Sequence, residues 1–279
     1  MNYDLDENAV RRLTATAFAQ HPDRDGRFLA LAVAAGSPLA DVARTVERQV
    51  FEESFGNDTA TMSGEYRRYE DDSLFFLVLD RRTGLAAGAA RVIDGGGKTL
   101  DDAPEHIGVG LDTIVALHGL DSGRIWDFAT LAVLPEYRGG RSGLAVSSLL
   151  YRTFLNAGRL AGVRHLVAML DHRAHRNLKL IGVEFRPIAG SEPFEYLGSP
   201  SNEALHAIFP ELIPSIARQA DRLGSLGAPF RGSIKARGLR RLITRRVAAK
   251  VAHRIASGEG LDESIVLPGL DRRQLVRQR

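Results

Sequence analysis

The stretch from Trp126 to Leu150 limits the fold more than any other part of the chain. It reads WDFATLAVLPEYRGGRSGLAVSSLL, which is an apolar run, a turn rich in glycine and arginine, and an amphipathic pattern. This order predicts a buried strand, a tight turn and a helix. Backbone N–H groups at a helix N-terminus lack partners within the helix and carry its positive dipole end, and glycines let an anion approach them. The stretch therefore predicts a phosphate cradle, with a pyrophosphate as the expected ligand.

The turn differs from the two commonest nucleotide-binding motifs. It has neither the Gly-Lys-Ser/Thr of a P-loop nor the Gly-x-Gly-x-x-Gly spacing of a dinucleotide site. It resembles the coenzyme A loop of the GCN5-related N-acetyltransferase (GNAT) superfamily, Val-x-Pro-x-x-Arg-Gly-x-Gly-x-Gly, which is matched by Val133, Pro135, Arg138, Gly139 and Gly143. At the family's central glycine stands Arg141, so either the backbone takes another path or the guanidinium contacts phosphate.

The resemblance implies coenzyme-binding residues on both sides of this turn. A second part of the family pattern, Asn-x-x-Ala followed by Tyr and Gly-Phe, falls here on Asp171, Ala174 and Gly182. Leu178 stands where the family has the tyrosine that protonates the departing thiolate. The coenzyme-binding residues that the resemblance implies are Leu131, Val133, Arg138, Gly139, Gly140, Arg141, Ser142, Gly143, Asp171 and Ala174.

The order of predicted elements supports the same resemblance. It is similar to the GNAT fold over roughly residues 28–212, which implies an α+β class with a mixed, mostly antiparallel central sheet flanked by helices. Periodicity and turn residues predict a helix over 7–19, a strand or helical turn over 28–33, a helix capped by Ser37, a hairpin of 73–79 and 85–93, a poorly structured stretch over 95–105, a strand from Trp126, a helix after the turn, a strand over 164–170, a helix over 172–180, and closing strands near 183–188 and 193–197.

Within the superfamily, the upstream half is most similar to the branch of autoinducer synthases and long-chain N-acyl amino acid synthases. The runs QVFEESF, GEYRRYE and GAARV match that branch's Val-Phe, Glu-x-Asp-x-Tyr-Asp and Gly-x-x-Arg-Leu patterns. Glu47 and Thr130 replace expected arginines and Arg67 replaces an aspartate, which argues against a homoserine lactone synthase and leaves open an acyl carrier other than acetyl-CoA. The residues that fall in register are Glu65, Tyr69, Glu70, Arg91 and Asp127.

The chemistry that the resemblance implies is transfer of an acyl group from a thioester to an amine. An amine is protonated near neutral pH, so a carboxylate or a water chain must remove a proton. Asp127 is the expected base, because it lies on the strand that receives the thioester in GNAT proteins. Glu70 and Glu65 are the second choices, near the side where the acceptor enters. The backbone N–H of Leu131 is expected to hold the oxyanion.

Two further side chains are expected to contact the acceptor. Arg91 could bind an acceptor carboxylate through its guanidinium, and Tyr69 lies in the same conserved pattern of the branch. Simpler interpretations stay open at each position: a surface aspartate for Asp127, a solvated charged segment around residues 65–72, and an outward-pointing Arg91.

The composition is that of a globular protein of 279 residues with a net charge of +3 and no cysteine. The lack of cysteine excludes disulfides, thiolate metal sites and a cysteine nucleophile, and agrees with a reducing cytoplasm. The first residues are acidic and lack the regions of a signal peptide, so a cytoplasmic protein is expected. His172 and His175 lie three residues apart with no third ligand, and no metal site is expected.

The C-terminal part of the chain is basic. Arginines and lysines between residues 231 and 254 follow one another without an acidic residue, after a stretch rich in helix breakers at 220–229. We predict three units: an N-terminal helical lead-in over 1–27, a GNAT-like acyltransferase domain over 28–219, and a basic helical extension over 220–279. The extension could pack on the core, dock an acidic acyl carrier protein, or lie on an anionic membrane surface. Nucleic acid is a weaker expectation because interleaved aromatic residues are missing.

The sequence therefore predicts a GNAT-family N-acyltransferase that uses acetyl-CoA or a longer acyl-CoA as co-substrate. The expected acceptor is the amine of a small molecule, possibly an amino acid. Two alternatives remain. One is a GNAT-like domain without catalysis that senses acyl-CoA or mediates interactions, favoured by Leu178 and Arg141, and the other is an N-acyl amino acid synthase that depends on an acyl carrier protein.

Overall fold

A computed structural model describes residues 1–24, 26–225 and 236–267, with side chains for all of these except Arg141 and 236–244. The helices are α1 (Glu7–Gln20), α2 (Pro38–Phe55), α3 (Thr59–Tyr66), α4 (Gly97–Ile107), α5 (Leu111–His118), α6 (Gly140–Leu160), α7 (His172–Ile181), α8 (Leu212–Ser225) and α9 (Ala236–Ser257). The strands are β1 (Phe28–Ala34), β2 (Ser73–Asp80), β3 (Leu85–Asp94), β4 (Arg124–Val133), β5 (Val163–Asp171), β6 (Arg186–Pro187), β7 (Phe194–Tyr196), β8 (Ser199–Ile208) and β9 (Ile265–Val266).

The strands form one sheet in the order β6-β8-β5-β4-β3-β2-β1-β9, and β7 also pairs with β8. The pairs β4–β5 and β1–β9 are parallel, and the other neighbours are antiparallel. Alternate residues of β1 and β2 are buried on opposite faces, where they join separate core clusters under α6–α9 and under α1–α2. Both faces are covered, which explains the continuous apolar runs in these strands. The predicted α+β class with a mostly antiparallel sheet is confirmed.

Capping residues set the ends of α2 as the sequence predicts. The Ser37 hydroxyl accepts a hydrogen bond from the N–H of Leu39 at 3.3 Å, and Pro38 occupies the first helical position, where its missing N–H loses no bond. The helix ends at Gly56, whose φ of 77° lies in the left-handed region that glycine tolerates.

The sheet opens between β4 and β5. These strands pair only from Arg124 with Val163 to Asp127 with Val167, so residues 128–133 of β4 and 168–171 of β5 are not paired with each other. Ala129 is an extra residue in β4, because Arg91 pairs with Thr130 and Val92 pairs with Phe128. A bulge of this kind bends a strand and increases its twist. The bulge therefore lies where β4 turns away from β5, and it creates a gap through the sheet.

The segments 95–105 and 199–208 differ from the prediction. The stretch over 95–105, expected to be poorly structured, contains α4, because the positive φ angles of Gly95, Gly96 and Gly97 end β3 and lead directly into a helix. Strand β8 was not predicted, since its polar sequence SPSNEALHAI hides the alternation, yet it pairs with β5 from His165–Ile208 to Asp171–Asn202. Pairing with β5 overrides the weak local strand preference of β8.

The described part of the basic extension packs on the core. Ala248, Val251, Ala252 and Ile255 of α9 are buried in the cluster under α6–α8, and β9 pairs with β1. The Arg152 guanidinium of α6 donates hydrogen bonds to both carboxylate oxygens of Asp262, at 2.8 and 2.9 Å. The predicted boundary at residue 220 falls inside α8. Residues 231–235 of the predicted basic segment lie outside the described residues.

Of the helices described, none is both long enough and apolar enough to cross a membrane.

Candidate active site

A cavity of about 540 Å³ passes through the gap between β4 and β5. One end lies beside α6 and α7 and the other beside α2 and α4, and we call them the donor end and the acceptor end after the roles predicted above. The donor end is lined by Leu131, Val133, Arg138, Tyr151, Asp171, Ala174, Asn177 and Leu178. The acceptor end is lined by Val50, Phe51, Phe55, Tyr66, Lys98, Thr99, Tyr196 and Leu197. Asp127 lies between the two sets on β4.

The N-terminus of α6 comes two residues after Arg138, which lines the donor end of the cavity. Its first backbone bond runs from the N–H of Gly143 to the carbonyl of Gly139 at 3.1 Å, so the N–H groups ahead of Gly143 have no acceptor within the helix. The cap residue Gly139 has no side chain to satisfy them. A Cβ atom on Gly143 would lie 2.4 Å from the carbonyl oxygen of Tyr137, which only a glycine avoids. These features fit the binding of a phosphate group by the main chain.

A buried carboxylate stabilises this turn through hydrogen bonds. Asp80, fully buried at the end of β2, accepts hydrogen bonds from the Tyr137 hydroxyl at 3.0 Å and from Nη2 of Arg27 at 2.7 Å. Arg27 also donates to the Ser142 hydroxyl at 2.9 Å. Tyr137 precedes the turn and Ser142 follows it, so Asp80 fixes both of its ends.

The predicted coenzyme residues divide into two groups. Leu131, Val133, Arg138, Asp171 and Ala174 line the cavity, whereas Gly139, Gly140, Ser142 and Gly143 form the start of α6. The Arg141 backbone also lies in α6, and its side chain is outside the described part. The Asp171 carboxylate accepts hydrogen bonds from the N–H groups of Arg173 and Ala174, at 2.8 and 3.0 Å, and so caps α7.

Sequence reasoning missed Tyr151. It lies on α6 and lines both the donor end and a small apolar void of about 20 Å³ behind it, as Leu178 and Phe128 also do. Burial raises the pKa of Tyr151 above its usual range, so its hydroxyl stays protonated. The signal was weak, because a tyrosine on the apolar face of a helix reads as ordinary core.

Asp127 occupies the middle of the cavity wall with no solvent exposure. Its two carboxylate oxygens accept hydrogen bonds from the N–H and the hydroxyl of Thr99, at 2.8 and 2.7 Å. Thr99 lies in the first turn of α4, so Asp127 caps this helix from a neighbouring strand. Burial raises the pKa of Asp127 to about 7, although both hydrogen bonds from Thr99 oppose the increase. A carboxyl with this pKa can exchange a proton near neutral pH.

Glu65 contributes to a charged cluster at the acceptor end. The Lys98 ammonium forms ion pairs with Glu65 and, at 2.7 Å, with Asp102. The Tyr196 hydroxyl donates to the same Asp102 carboxylate at 2.6 Å. Lys98 and Tyr196 line the cavity, so Glu65 lies one residue behind the wall.

Arg91, Glu70 and Tyr69 lie behind the cavity wall. The Arg91 guanidinium has no exposed surface and donates to Glu47 at 2.7 Å and to the Tyr3 hydroxyl at 2.9 Å. Glu70 forms an ion pair with Arg44, and the Tyr69 hydroxyl donates to Asp101 at 2.8 Å. The structure thus brings Asp127 into one cavity with five of the predicted coenzyme residues, and it places Arg91, Glu70 and Tyr69 outside that cavity.

The fold and the opened sheet define a GNAT-like architecture. The sequence matches no protein-family model and no curated protein. Among solved structures, the chain is similar to FeeM, an N-acyl amino acid synthase from uncultured soil microbes, with 14% identity over 68% of this chain and 94% of that chain and a TM-score of 0.51. It is also similar to the AHL synthase LasI, with 14% identity over 65% of this chain and 90% of that chain and a TM-score of 0.47. A third similar structure is BjaI, a CoA-dependent acyl-homoserine lactone synthase, with 14% identity over 77% of this chain and 99% of that chain and a TM-score of 0.44.

At 14% identity, the likeness to FeeM shows the fold. It agrees with the GNAT-like fold that the sequence predicts.

Proposed function

We propose that this protein is an acyltransferase that moves an acyl group from a coenzyme A thioester to the amine of a small molecule. The observation that carries the proposal is the gap between β4 and β5, because one cavity there runs from Arg138, two residues before α6, to the buried Asp127. A phosphate-bearing donor at α6 would extend its thioester into this gap. An amine entering from the acceptor end would meet it beside Asp127.

Each step of the transfer has a residue to support it. Asp127 takes the proton that the amine loses as its nitrogen attacks the thioester carbonyl carbon. The N–H of Leu131 holds the carbonyl oxygen while it carries negative charge. The carbon–sulfur bond then breaks, the amide forms, and the sulfur leaves as a thiolate. Leu178 offers no hydroxyl there, and we assign the hydrogen bond to the departing sulfur to Tyr151, which lines the cavity beside Leu178.

The test is a thiol-release assay. Purified protein is mixed with acetyl-CoA or a long-chain acyl-CoA, with and without a panel of small amines, and free thiol is measured. We expect release that depends on the amine and a new amide detected by mass spectrometry. The proposed transfer is contradicted if thiol release is the same with and without every amine, or if no donor gives thiol release.

A second candidate function is binding of acyl-CoA without transfer. It is favoured by Asp127, whose oxygens already accept two hydrogen bonds from Thr99 and have no exposed surface. Titration calorimetry with CoA separates the candidates when combined with the thiol assay, because a sensor binds CoA and releases no product.

The donor could also be presented by an acyl carrier protein or at an anionic membrane surface through the basic segment 231–254. The described side chains of that segment include Arg246 and Lys250, which are exposed on α9. Charge attraction of this kind weakens with salt. We expect the transfer rate with acyl carrier protein, or with anionic vesicles, to fall as the salt concentration increases. The rate with acyl-CoA alone should not change with salt.

A further inference from the structure

The charges around the acceptor end are already paired with one another. Lys98 is the cation that lines this end, its side chain is 8% exposed, and it contacts the carboxylates of Glu65 and Asp102. Asp127 lines the cavity itself, whereas Glu65 and Asp102 lie behind Lys98. The Lys98 charge is therefore balanced by its two partners, and the ionised form of Asp127 leaves this end negative, which attracts a cation and repels an anion.

The guanidinium expected to bind an acceptor carboxylate is out of reach. Arg91 is fully buried against Glu47, and its guanidinium stacks on the ring of Tyr66 at 4.4 Å. Tyr66 lines the cavity and Arg91 does not. Among the described side chains, the other cations of the cavity wall are Arg138 and Arg173. Arg138 follows β4 and is already ion-paired with Glu53 of α2 at 2.7 Å, and Arg173 lies at the start of α7 on the donor side.

The rest of the acceptor end is apolar and aromatic. Phe51 and Phe55 of α2 pack on each other with ring centroids 5.6 Å apart, and both line the cavity. Leu197 lines it from the turn between β7 and β8 with φ of 44°, a conformation that a branched side chain rarely adopts. The Asn57 side chain holds the turn by donating to the Leu197 carbonyl at 3.1 Å. Strain of this kind concentrates at functional sites.

We infer that the acceptor is a primary amine with an apolar or aromatic body and no carboxylate, rather than an amino acid. The inference rests on the proposed function and specifies its substrate class. A protonated amine entering this end is stabilised by the carboxylates. It loses one proton to water, and the neutral amine passes a second proton to Asp127 as its nitrogen attacks the thioester. A carboxylate brought to the same place would meet no unpaired cation among the described side chains of this end, and an unpaired buried charge is strongly disfavoured.

Three acceptors that differ at one group test the inference. Phenethylamine, L-phenylalaninamide and L-phenylalanine share the aromatic ring and the amine, and only the last carries a carboxylate. With acetyl-CoA and a long-chain acyl-CoA as donors, we expect kcat/KM for phenylalanine to be lower than for the other two by about tenfold or more. L-phenylalaninamide is similar in size to phenylalanine but has no carboxylate, so it distinguishes an effect of charge from an effect of size. Equal or faster acylation of phenylalanine overturns the inference and leaves the proposed transfer intact.

A pair of variants tests the cause. Asp102→Asn removes one of the two carboxylates on Lys98, so the ammonium becomes available and kcat/KM for phenylalanine should rise relative to phenethylamine. Asp101→Asn is the matched control, because Asp101 is the neighbouring carboxylate, contacts Tyr69 and lies outside the cavity. If the ratio of kcat/KM for phenylalanine to kcat/KM for phenethylamine is the same in the wild type and in Asp102→Asn, the assigned role of the Lys98 ammonium is contradicted.

Failure of the proposed function has a separate signature. If no acceptor is acylated, thermal unfolding with CoA present still reports acceptor binding. An increase in Tm with phenethylamine and not with phenylalanine supports the acceptor class while the transfer fails. Equal shifts, or no shift with either compound, overturn the inference as well.

Discussion

The donor and acceptor ends of the cavity are built in different ways. The donor end comes from one continuous part of the chain, which runs from β4 through α6 and β5 to α7, and it adjoins the backbone amides at the start of α6. The acceptor end combines α2, α3, α4 and the β7–β8 turn, which are distant in sequence, and its polar groups are side chains paired with one another. The donor end therefore depends on glycine at a position such as Gly143, whereas single side-chain substitutions can change the charges of the acceptor end.

The first prediction concerns Asp127, which belongs to both ends. Asp127→Asn should keep the bond from the Thr99 N–H but remove the base, and the transfer rate should fall by about 10²- to 10⁴-fold. In the wild type the rate should rise with pH through about 7 as Asp127 ionises. CoA affinity measured by calorimetry should stay unchanged. A variant with full activity would place the base elsewhere.

The same substitution has a stability signature. The pKa of Asp127 is raised from 3.8 to about 7 in the folded protein, so the folded state binds its proton more tightly than the unfolded state does. This contribution is complete below about pH 4 and is lost as the pH rises to about 7. The free energy of unfolding of the wild type should therefore decrease over this range relative to Asp127→Asn. Parallel pH profiles from urea unfolding would contradict the raised pKa.

The second prediction concerns the buried ion pair of Arg91 and Glu47, which lies behind the wall of the acceptor end and outside the cavity. Arg91→Met leaves Glu47 buried without its guanidinium, which should lower the free energy of unfolding by about 3–5 kcal/mol in urea denaturation. The double variant Glu47→Leu with Arg91→Met should recover much of this loss. CoA affinity of the folded protein should be unaffected. A loss below about 1 kcal/mol would mean that water reaches the pair.

The third prediction tests the donor end alone. In Gly143→Ala the new Cβ would lie 2.4 Å from the Tyr137 carbonyl oxygen, so the turn must shift and its N–H groups lose their arrangement. CoA affinity should fall by about tenfold or more, which corresponds to about 1.4 kcal/mol. Gly36→Ala is the control, because no atom lies within 4 Å of the added Cβ there. Equal CoA affinity in both variants would contradict the phosphate cradle.

The fourth prediction has the smallest effect and compares two tyrosines. Tyr137→Phe loses the 3.0 Å hydrogen bond to Asp80 below the donor turn, and CoA binding should weaken by about 0.5–1.5 kcal/mol. Tyr69→Phe loses a similar bond, to Asp101 near the acceptor end, and should leave CoA binding unchanged. The distinction between the two ends fails if both variants weaken CoA binding equally.

The same difference explains which features the sequence could predict. The strand, turn and helix around Val133–Gly143, the hairpin of β2 and β3, and the cap at Ser37 depend on neighbouring residues, and their positions agree with the structure. Strand β8 and helix α4 depend on partners far along the chain, β5 and Asp127, which no local pattern contains. Glu47 and Arg91 were identified separately, but only the fold reveals that they neutralise each other.

The most direct test of the account is the structure of the protein crystallised with acetyl-CoA or CoA. The account predicts the diphosphate within hydrogen-bonding distance of the N–H groups at the start of α6, and the sulfur in the gap between β4 and β5 close to Asp127. Coenzyme bound anywhere else, or a gap closed by strand pairing beyond Asp127 in the complex, would contradict it.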